Sequence, residues 1–138
     1  MDNGLAGTTL RIDLTTGEIK RFPTDEKLFR QWHGGRGVIA KILYDEVPRD
    51  ADPLGPKNVF IVNVGIMSGC YIPSGSKTSF GSISPLTNGH GDSNMGGHFG
   101  PTLKFAGYDM ILFTGISPKP VCLYIDNDTV ELRDAAAY

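Results

Sequence analysis

The chain has 138 residues, a formal net charge of −2 and 40% hydrophobic residues. This length fits one domain with a real core, and the charge balance gives neither a basic footprint for nucleic acid nor a polybasic signal for membranes. No run of about 18 apolar residues is present, and the first residues lack the pattern of a signal peptide. We therefore expect a protein without nucleic-acid or membrane partners.

The first half of the chain predicts a β-hairpin followed by two helices. Apolar and polar residues alternate over residues 10–14, and residues 18–22 return after a Thr-Thr-Gly turn. Thr24 is predicted to N-cap a short helix, and the glycine-rich residues 34–37 interrupt before a second helix over residues 38–45. The apolar face of the first helix is expected to consist of Leu28, Phe29 and Trp32.

The second half predicts mainly strands. An apolar run at residues 59–64 indicates a central strand. Between Gly65 and Gly100, where glycine and small polar residues dominate, only one short strand is predicted, at residues 78–83. A short helix follows at residues 101–106, with Gly107 as its C′ residue. The last strands are predicted at residues 110–114, 121–125 and 129–133. The order ββααβ–loop–βαβββ predicts an α+β fold of mixed β-sheets with short helices.

Cysteine and histidine residues show no spacing typical of a metal site. Cys70 and Cys122 are predicted to be buried free thiols, which favours a reducing cytoplasm. Three histidines are each interpreted as turn or packing residues: His33, His90 and His98. The sequence contains no Ser/His/Asp pattern and no convincing carboxylate pair, so no catalytic residue is predicted.

Two loops favour phosphate binding. Residues 93–100 contain adjacent glycines, whose backbone N–H groups can approach an anion closely, and Asn94 adds an amide. Residues 73–78 place Lys77 where a small-residue turn enters a strand, a position that suits a phosphate oxygen. The alternatives are a structural glycine turn and an ordinary surface lysine. Neither loop has a Walker or dinucleotide pattern, and residues 34–37 follow a predicted helix rather than a strand.

Taken in order, six segments resemble the N-terminal domain of the aldehyde:ferredoxin oxidoreductase family. The run Asn-x-Gly-Gly-x-Phe-Gly followed by Leu-Lys-Phe-Ala-Gly-Tyr-Asp is specific, and the resemblance covers essentially the whole chain. The segments are residues 10–17, 34–37, 52–58, 84–87, 94–100 and 103–109. The resemblance implies the α+β fold of that domain, a tungsten or molybdenum ion held by two pterins, Mg²⁺ and a [4Fe–4S] cluster.

The resemblance also implies roles for three residues, and a fourth is assigned beside them. Lys77 matches a position usually occupied by a pterin-contacting arginine, and lysine keeps the charge but loses bidentate contact. Asn94 matches an asparagine whose backbone carbonyl binds the Mg²⁺ that bridges the pterin phosphates. Gly96 matches a glycine that lies against the pterin, and Gly97 is assigned to the same cofactor-binding loop.

The implied function is that of the N-terminal pterin-binding part of an anaerobic, cytoplasmic oxidoreductase. The full enzyme would oxidise aldehydes to carboxylic acids and pass electrons through its [4Fe–4S] cluster to ferredoxin. Residues 1–138 would form an incomplete domain, inactive alone, because the cluster and the catalytic groups belong to the rest of the parent polypeptide.

Three other interpretations stay open. The first is part of a benzoyl-CoA-reductase-like tungsten enzyme. The second is a stand-alone, non-catalytic binding module, or one that forms a homodimer through an unpaired strand edge. The weakest is a nucleotide-binding enzyme, because the phosphate loops have the wrong context for it.

Overall fold

The computed structural model describes residues 4–136. In these residues no helix is both long enough and apolar enough to cross a membrane. The strands are β1 (Thr8–Asp13), β2 (Glu18–Pro23), β3 (Phe60–Val64), β4 (Thr78–Ile83), β5 (His90–Met95), β6 (Tyr108–Thr114), β7 (Val121–Asp126) and β8 (Thr129–Asp134). The helices are α1 (Glu26–Trp32), α2 (Gly35–Glu46) and α3 (Phe99–Phe105). The predicted α+β class with mixed sheets and short helices is confirmed.

A mixed sheet of six strands, in the order β2-β1-β6-β3-β4-β5, organises the chain. Strand β1 pairs antiparallel with β2 and parallel with β6. Strand β3 runs antiparallel to both β6 and β4, and β4 runs antiparallel to β5. Strands β7 and β8 form a separate antiparallel hairpin. Within the described chain, β5 is therefore an edge strand.

The two faces of the sheet bury two separate hydrophobic clusters. Successive residues of a strand point to opposite faces, so Ile61 and Val62 of β3 belong to different clusters. On the first face, Ile61 packs in a cluster with Ile39 of α2. On the second, Val62 lies in a cluster with Leu103 of α3, against which Leu123 of β7 also packs. Helices α2 and α3 thus pack on opposite faces of the sheet.

Helix α1 begins differently from the prediction. Asp25, not Thr24, is the N-cap, and its Oδ1 accepts a hydrogen bond from Leu28 N at 3.1 Å. Thr24 is buried instead, and its hydroxyl donates to Asp109 at 2.8 Å. Trp32 is 41% exposed rather than packed, so Phe29 is the buried residue of this helix.

Helix α2 begins at Gly35, three residues before the predicted start, so the glycines at 35 and 37 lie inside the helix. Its first amide has a tertiary partner, because Gly35 N–H donates to Oδ1 of Asn63. Gly81 of β4 lets the helix come close, since a methyl group there would collide with Ile39. Contacts with β3 and β4 therefore extend the helix through Gly35 and Gly37, although glycine has a low helix propensity.

Three smaller predictions are corrected. Strand β5 lies in the segment for which only one strand was predicted, and α3 begins at Phe99, two residues early. The prediction of two buried thiols is wrong, because Cys70 is exposed and Cys122 is partly exposed. The β1–β2 and β7–β8 hairpins and strands β3, β4 and β6 lie where the sequence predicts them.

A buried ion pair holds the beginning of the described chain. Nζ of Lys104 lies 2.9 Å from Oδ1 of Asp109, and both side chains are 0% exposed. The carboxylate also accepts a hydrogen bond from Thr24. The remaining partners are the backbone atoms Gly4 O, Ala6 N and Gly7 N. Because a buried charge is costly unless it is paired and hydrogen-bonded, these contacts make the pair tolerable and fix residues 4–7.

Candidate functional site

Four predicted residues converge at one end of the β4–β5 hairpin. The register pairs Ser79 with Asn94, which places Lys77 opposite Gly96 two positions further along. A Cβ atom built on Gly96 would lie 4.0 Å from Nζ of Lys77. Gly97 follows directly. The structure therefore brings together Lys77, Asn94, Gly96 and Gly97.

The backbone N–H and C=O groups of Asn94 point away from β4. In an antiparallel ladder, hydrogen-bonded pairs alternate with pairs that make no mutual bonds. Ser84 N–H donates to Gly89 O at 2.8 Å, so this pair is hydrogen-bonded. Alternation along the register then directs the N–H and C=O groups of Gly91, Ser93 and Met95 towards β4. The carbonyl of Asn94 points to the opposite side, at the open edge of β5 among the described residues.

The side chain of Asn94 has protein partners. Its Oδ1 accepts from Nη2 of Arg36 at 2.6 Å, and its Nδ2 donates to Oγ of Ser79 at 2.9 Å. This amide orientation follows from the guanidinium, which can only donate. Because the side chain is engaged on the α2 face, the backbone carbonyl is the group that Asn94 presents at the edge.

Sequence reasoning missed Arg36. It lies in the first turn of α2 and forms an ion pair with Asp92 of β5, with side chains 64% and 29% exposed, respectively. The signal in the sequence is the Gly-Gly-Arg-Gly run, which lacks the context of a dinucleotide fingerprint and is one of the segments that carry the family resemblance. Its proximity to Asn94 depends on the packing of α2 over β4 and β5, which a local pattern does not contain.

The loop after β3 fixes the backbone of Lys77. The carbonyl of Lys77 accepts a hydrogen bond from Gly65 N at 3.1 Å, and the buried hydroxyl of Ser68 lies 3.5 Å from the same oxygen. The Lys77 side chain itself is exposed. Its main chain is therefore held while its ammonium group is accessible to a ligand.

The two glycines differ in their backbone conformation. Gly97 has φ +84°, a left-handed conformation that strains other residues, and no atom lies within 4 Å of a Cβ built there. Gly96 is not in the left-handed region, and a methyl group on it would meet only the end of Lys77. Neither position is crowded, so an external group can approach the backbone of both glycines.

The three histidines lie at the ends of three different elements. His33 ends α1 with φ 58°, His90 begins β5, and His98 precedes α3. Among residues 4–136, no three His, Cys, Asp or Glu side chains are close enough to hold a metal ion.

Comparison with known proteins identifies the family. Residues 9–138 match the family model described as "Aldehyde ferredoxin oxidoreductase, N-terminal domain". The chain belongs to this family. It is 43% identical over 130 residues to the tungsten-containing aldehyde ferredoxin oxidoreductase of Thermococcus kodakarensis, covering 94% of this chain and 22% of that protein.

Other family members with different names are similarly close. The aliphatic sulfonate oxidoreductase, WOR-like subunit, of Pyrococcus furiosus is 40% identical over 135 residues, which cover 96% of this chain and 21% of that one. The solved active-site complex BamBC of benzoyl coenzyme A reductase matches with a TM-score of 0.96 and 42% identity, covering 99% of this chain and 21% of that chain. The chain thus spans about one fifth of the length of these relatives.

Proposed function

We propose that this chain forms part of the protein surface that holds a tungsten- or molybdenum-bearing pterin cofactor in a longer oxidoreductase. Relatives named as tungsten-containing enzymes support the cofactor class. The observation that carries the proposal is the convergence of the Lys77 ammonium group, the outward carbonyl of Asn94 and the open backbone of Gly96.

The chemistry of these groups fits the proposed cofactor. A backbone carbonyl is a hard oxygen ligand of the kind that Mg²⁺ binds, and the Asn94 carbonyl faces outward at the sheet edge. Lys77 supplies a single positive charge for a phosphate oxygen. Gly96 and Gly97 leave room for a flat ring against the main chain.

The role of these residues is to bind and orient the cofactor. When bound, the metal–pterin group would supply the electron-transfer chemistry, while the protein provides position and electrostatics. Lys77 would balance negative charge on the ligand, and the backbone carbonyl of Asn94 would bind Mg²⁺. We assign no acid or base to the described residues, and we expect the isolated chain to be inactive.

The substrate and the electron route are part of the proposal. The named relatives favour oxidation of an aldehyde to a carboxylic acid, with ferredoxin as electron acceptor. A [4Fe–4S] cluster would be bound by the rest of the polypeptide. A cytoplasmic location and an anaerobic setting stay predictions.

A second candidate is a benzoyl-CoA-reductase-like enzyme, which the match to BamBC favours. Identities of 43%, 42% and 40% to proteins named for three different reactions are nearly equal. We infer that this segment serves the cofactor common to the family and does not select the substrate. A stand-alone module that dimerises through β5 would appear as a dimer in size-exclusion chromatography.

The test compares two glycines of one hairpin. Gly96 and Gly89 both lie outside the left-handed region, and a methyl group on either meets no atom closer than 3.6 Å. Gly89 lies in the β4–β5 turn, at the far end of β5. Both alanine variants should therefore fold, and only Gly96→Ala should obstruct the cofactor.

The measurement is tungsten, molybdenum and pterin content of the longer protein, purified anaerobically. We expect Gly96→Ala to lose most of its metal and pterin together and Gly89→Ala to keep both. Full cofactor content in Gly96→Ala would contradict the proposed placement. Loss in both variants would point to a folding effect of the hairpin rather than to contact with the cofactor.

A further inference from the structure

We propose that Arg36 is a second anion-binding residue of this site and that Asp92 occupies its guanidinium until a phosphate-bearing ligand displaces it. The inference rests on the proposed function, because it assigns an additional ligand contact to the same edge of the sheet. It concerns residues to which the family resemblance gives no role.

The packing of α2 holds Arg36 over the site. The Gly35 N–H donates to the buried Asn63 amide, and a Cβ on Gly35 would lie 3.3 Å from Oγ of Ser79. The first turn of α2 is thus fixed above β3 and β4. From there Arg36 reaches Asn94, with Nη2 2.6 Å from Oδ1.

Helix stability does not explain an arginine at this position. The amino end of a helix carries a partial positive charge, so a cation in the first turn is unfavourable. Helix α2 has no acidic residue in that turn, and Gly34 provides no side-chain cap. The anionic partner of Arg36 comes from another element, since Asp92 belongs to β5.

The charges around Asn94 leave a surplus of positive charge. Arg36 and Lys77 contribute one positive charge each, and the start of α2 adds its partial charge. Asp92 is the acidic residue paired with this group. These charges therefore favour an anionic ligand beside Asn94.

The spacing between the two cations suits a ligand with more than one phosphate group. Asn94, which contacts Arg36, and Gly96, which faces Lys77, are two residues apart, or about 7 Å along a strand. A pyrophosphate-like group would contact both cations. Fork-shaped arginine suits bidentate phosphate contact, which Lys77 alone does not offer.

A phosphate group can displace the Asp92 carboxylate from Arg36 at little cost. Its ion pair with Arg36 is open to solvent, and exposed ion pairs contribute little to stability. Exchange of one carboxylate for a doubly charged phosphate keeps the guanidinium hydrogen-bonded. Removal of Asp92 should therefore tighten binding of the anion, whereas removal of Arg36 should weaken it.

The experiment is calorimetric titration of the 138-residue chain with inorganic pyrophosphate at fixed Mg²⁺ concentration. We expect Arg36→Gln to weaken binding about tenfold, the size of one charge-assisted hydrogen-bond contact. We expect Asp92→Asn to tighten it about threefold, since an exposed competitor is removed. Arg30→Gln is the matched control, because Arg30 is also paired with an acid and is 68% exposed, but lies on α1.

Each outcome decides the inference. Unchanged affinity in Arg36→Gln, or weaker binding in Asp92→Asn, would overturn it. Arg36→Lys, with the same thermal midpoint as the wild type, separates loss of the fork from misfolding and should bind with intermediate affinity. If only Lys77→Gln weakens binding, Arg36 is excluded and the proposed function stands. If the wild type does not bind pyrophosphate, the inference fails, and the metal content of Gly96→Ala tests the proposed function separately.

Discussion

Lys104–Asp109 and Arg36–Asp92 are both pairs of a basic residue with an aspartate, in opposite environments. The first is 0% exposed on both sides and is hydrogen-bonded to the beginning of the described chain. The second is 64% and 29% exposed and lies beside the candidate site. The first pair is surrounded by permanent protein partners, whereas the second faces solvent.

This difference shows how burial decides what an ion pair can do. Breaking a buried pair leaves an uncompensated charge that water cannot reach, so the pair becomes part of the architecture. An exposed pair costs little to separate, because water or another ion takes its place. The same residue chemistry therefore gives a permanent structural contact in the buried pair and an exchangeable contact in the exposed pair.

The largest expected effect is on the buried pair. We expect Lys104→Met to destabilise the chain by about 3–5 kcal/mol, because Asp109 would be left as an unpaired buried charge. Urea denaturation monitored by circular dichroism measures this free energy of unfolding. Arg36→Met is the counterpart at the exposed pair, and it should change stability by less than about 1 kcal/mol. Equal losses in the two variants would remove the distinction between the pairs.

An intermediate effect is expected for Gly97→Ala. The φ of +84° at Gly97 places alanine in a left-handed conformation, which costs about 1–2 kcal/mol. Gly96→Ala should leave the free energy of unfolding within about 0.5 kcal/mol of the wild type, since its backbone is ordinary and the added methyl group is exposed. Thermal and urea unfolding of both variants would show whether the two adjacent glycines differ as the backbone indicates.

The smallest expected effect concerns a third ion pair, Lys119–Asp134, whose side chains are 65% and 51% exposed. The hydrogen bond from Lys119 lowers the pKa of Asp134 below its ordinary value of 3.8. Its folded pKa is depressed, so its contribution to stability is present above pH 3.8 and is lost as the pH falls through the lower folded pKa. Carboxyl NMR titration should show the low pKa, and Lys119→Gln should return it towards the ordinary value.

Much of the fold follows from patterns in the sequence. Alternation over β1 and the apolar run of β3 predict these strands because each buries side chains on at least one face. Strand β5 escaped prediction because its polar side chains are mostly exposed and its pairing with β4 is through the backbone. Thr24 was misassigned because its partner, Asp109, lies 85 residues away.

The site was predictable to a different degree. Lys77, Asn94, Gly96 and Gly97 were found from loop composition and the family resemblance, and the structure places them at one hairpin end. Their binding roles stay predictions. Arg36 was missed because its contact with β5 is created by the way α2 crosses the sheet, which no pattern along the chain expresses.

The parallel pairing of β1 with β6 means that β1 is synthesised long before its partner strand. Gly4 and Lys104, whose contact fixes the start of the described chain, are 100 residues apart. At about 5–20 residues per second, the ribosome delivers Lys104 roughly 5–20 s after Gly4. During that interval the inner edge of β1 has no β6 beside it. The newly made β1–β2 hairpin must therefore wait, exposed to chaperones and to other nascent chains, until the last strand of the central sheet emerges.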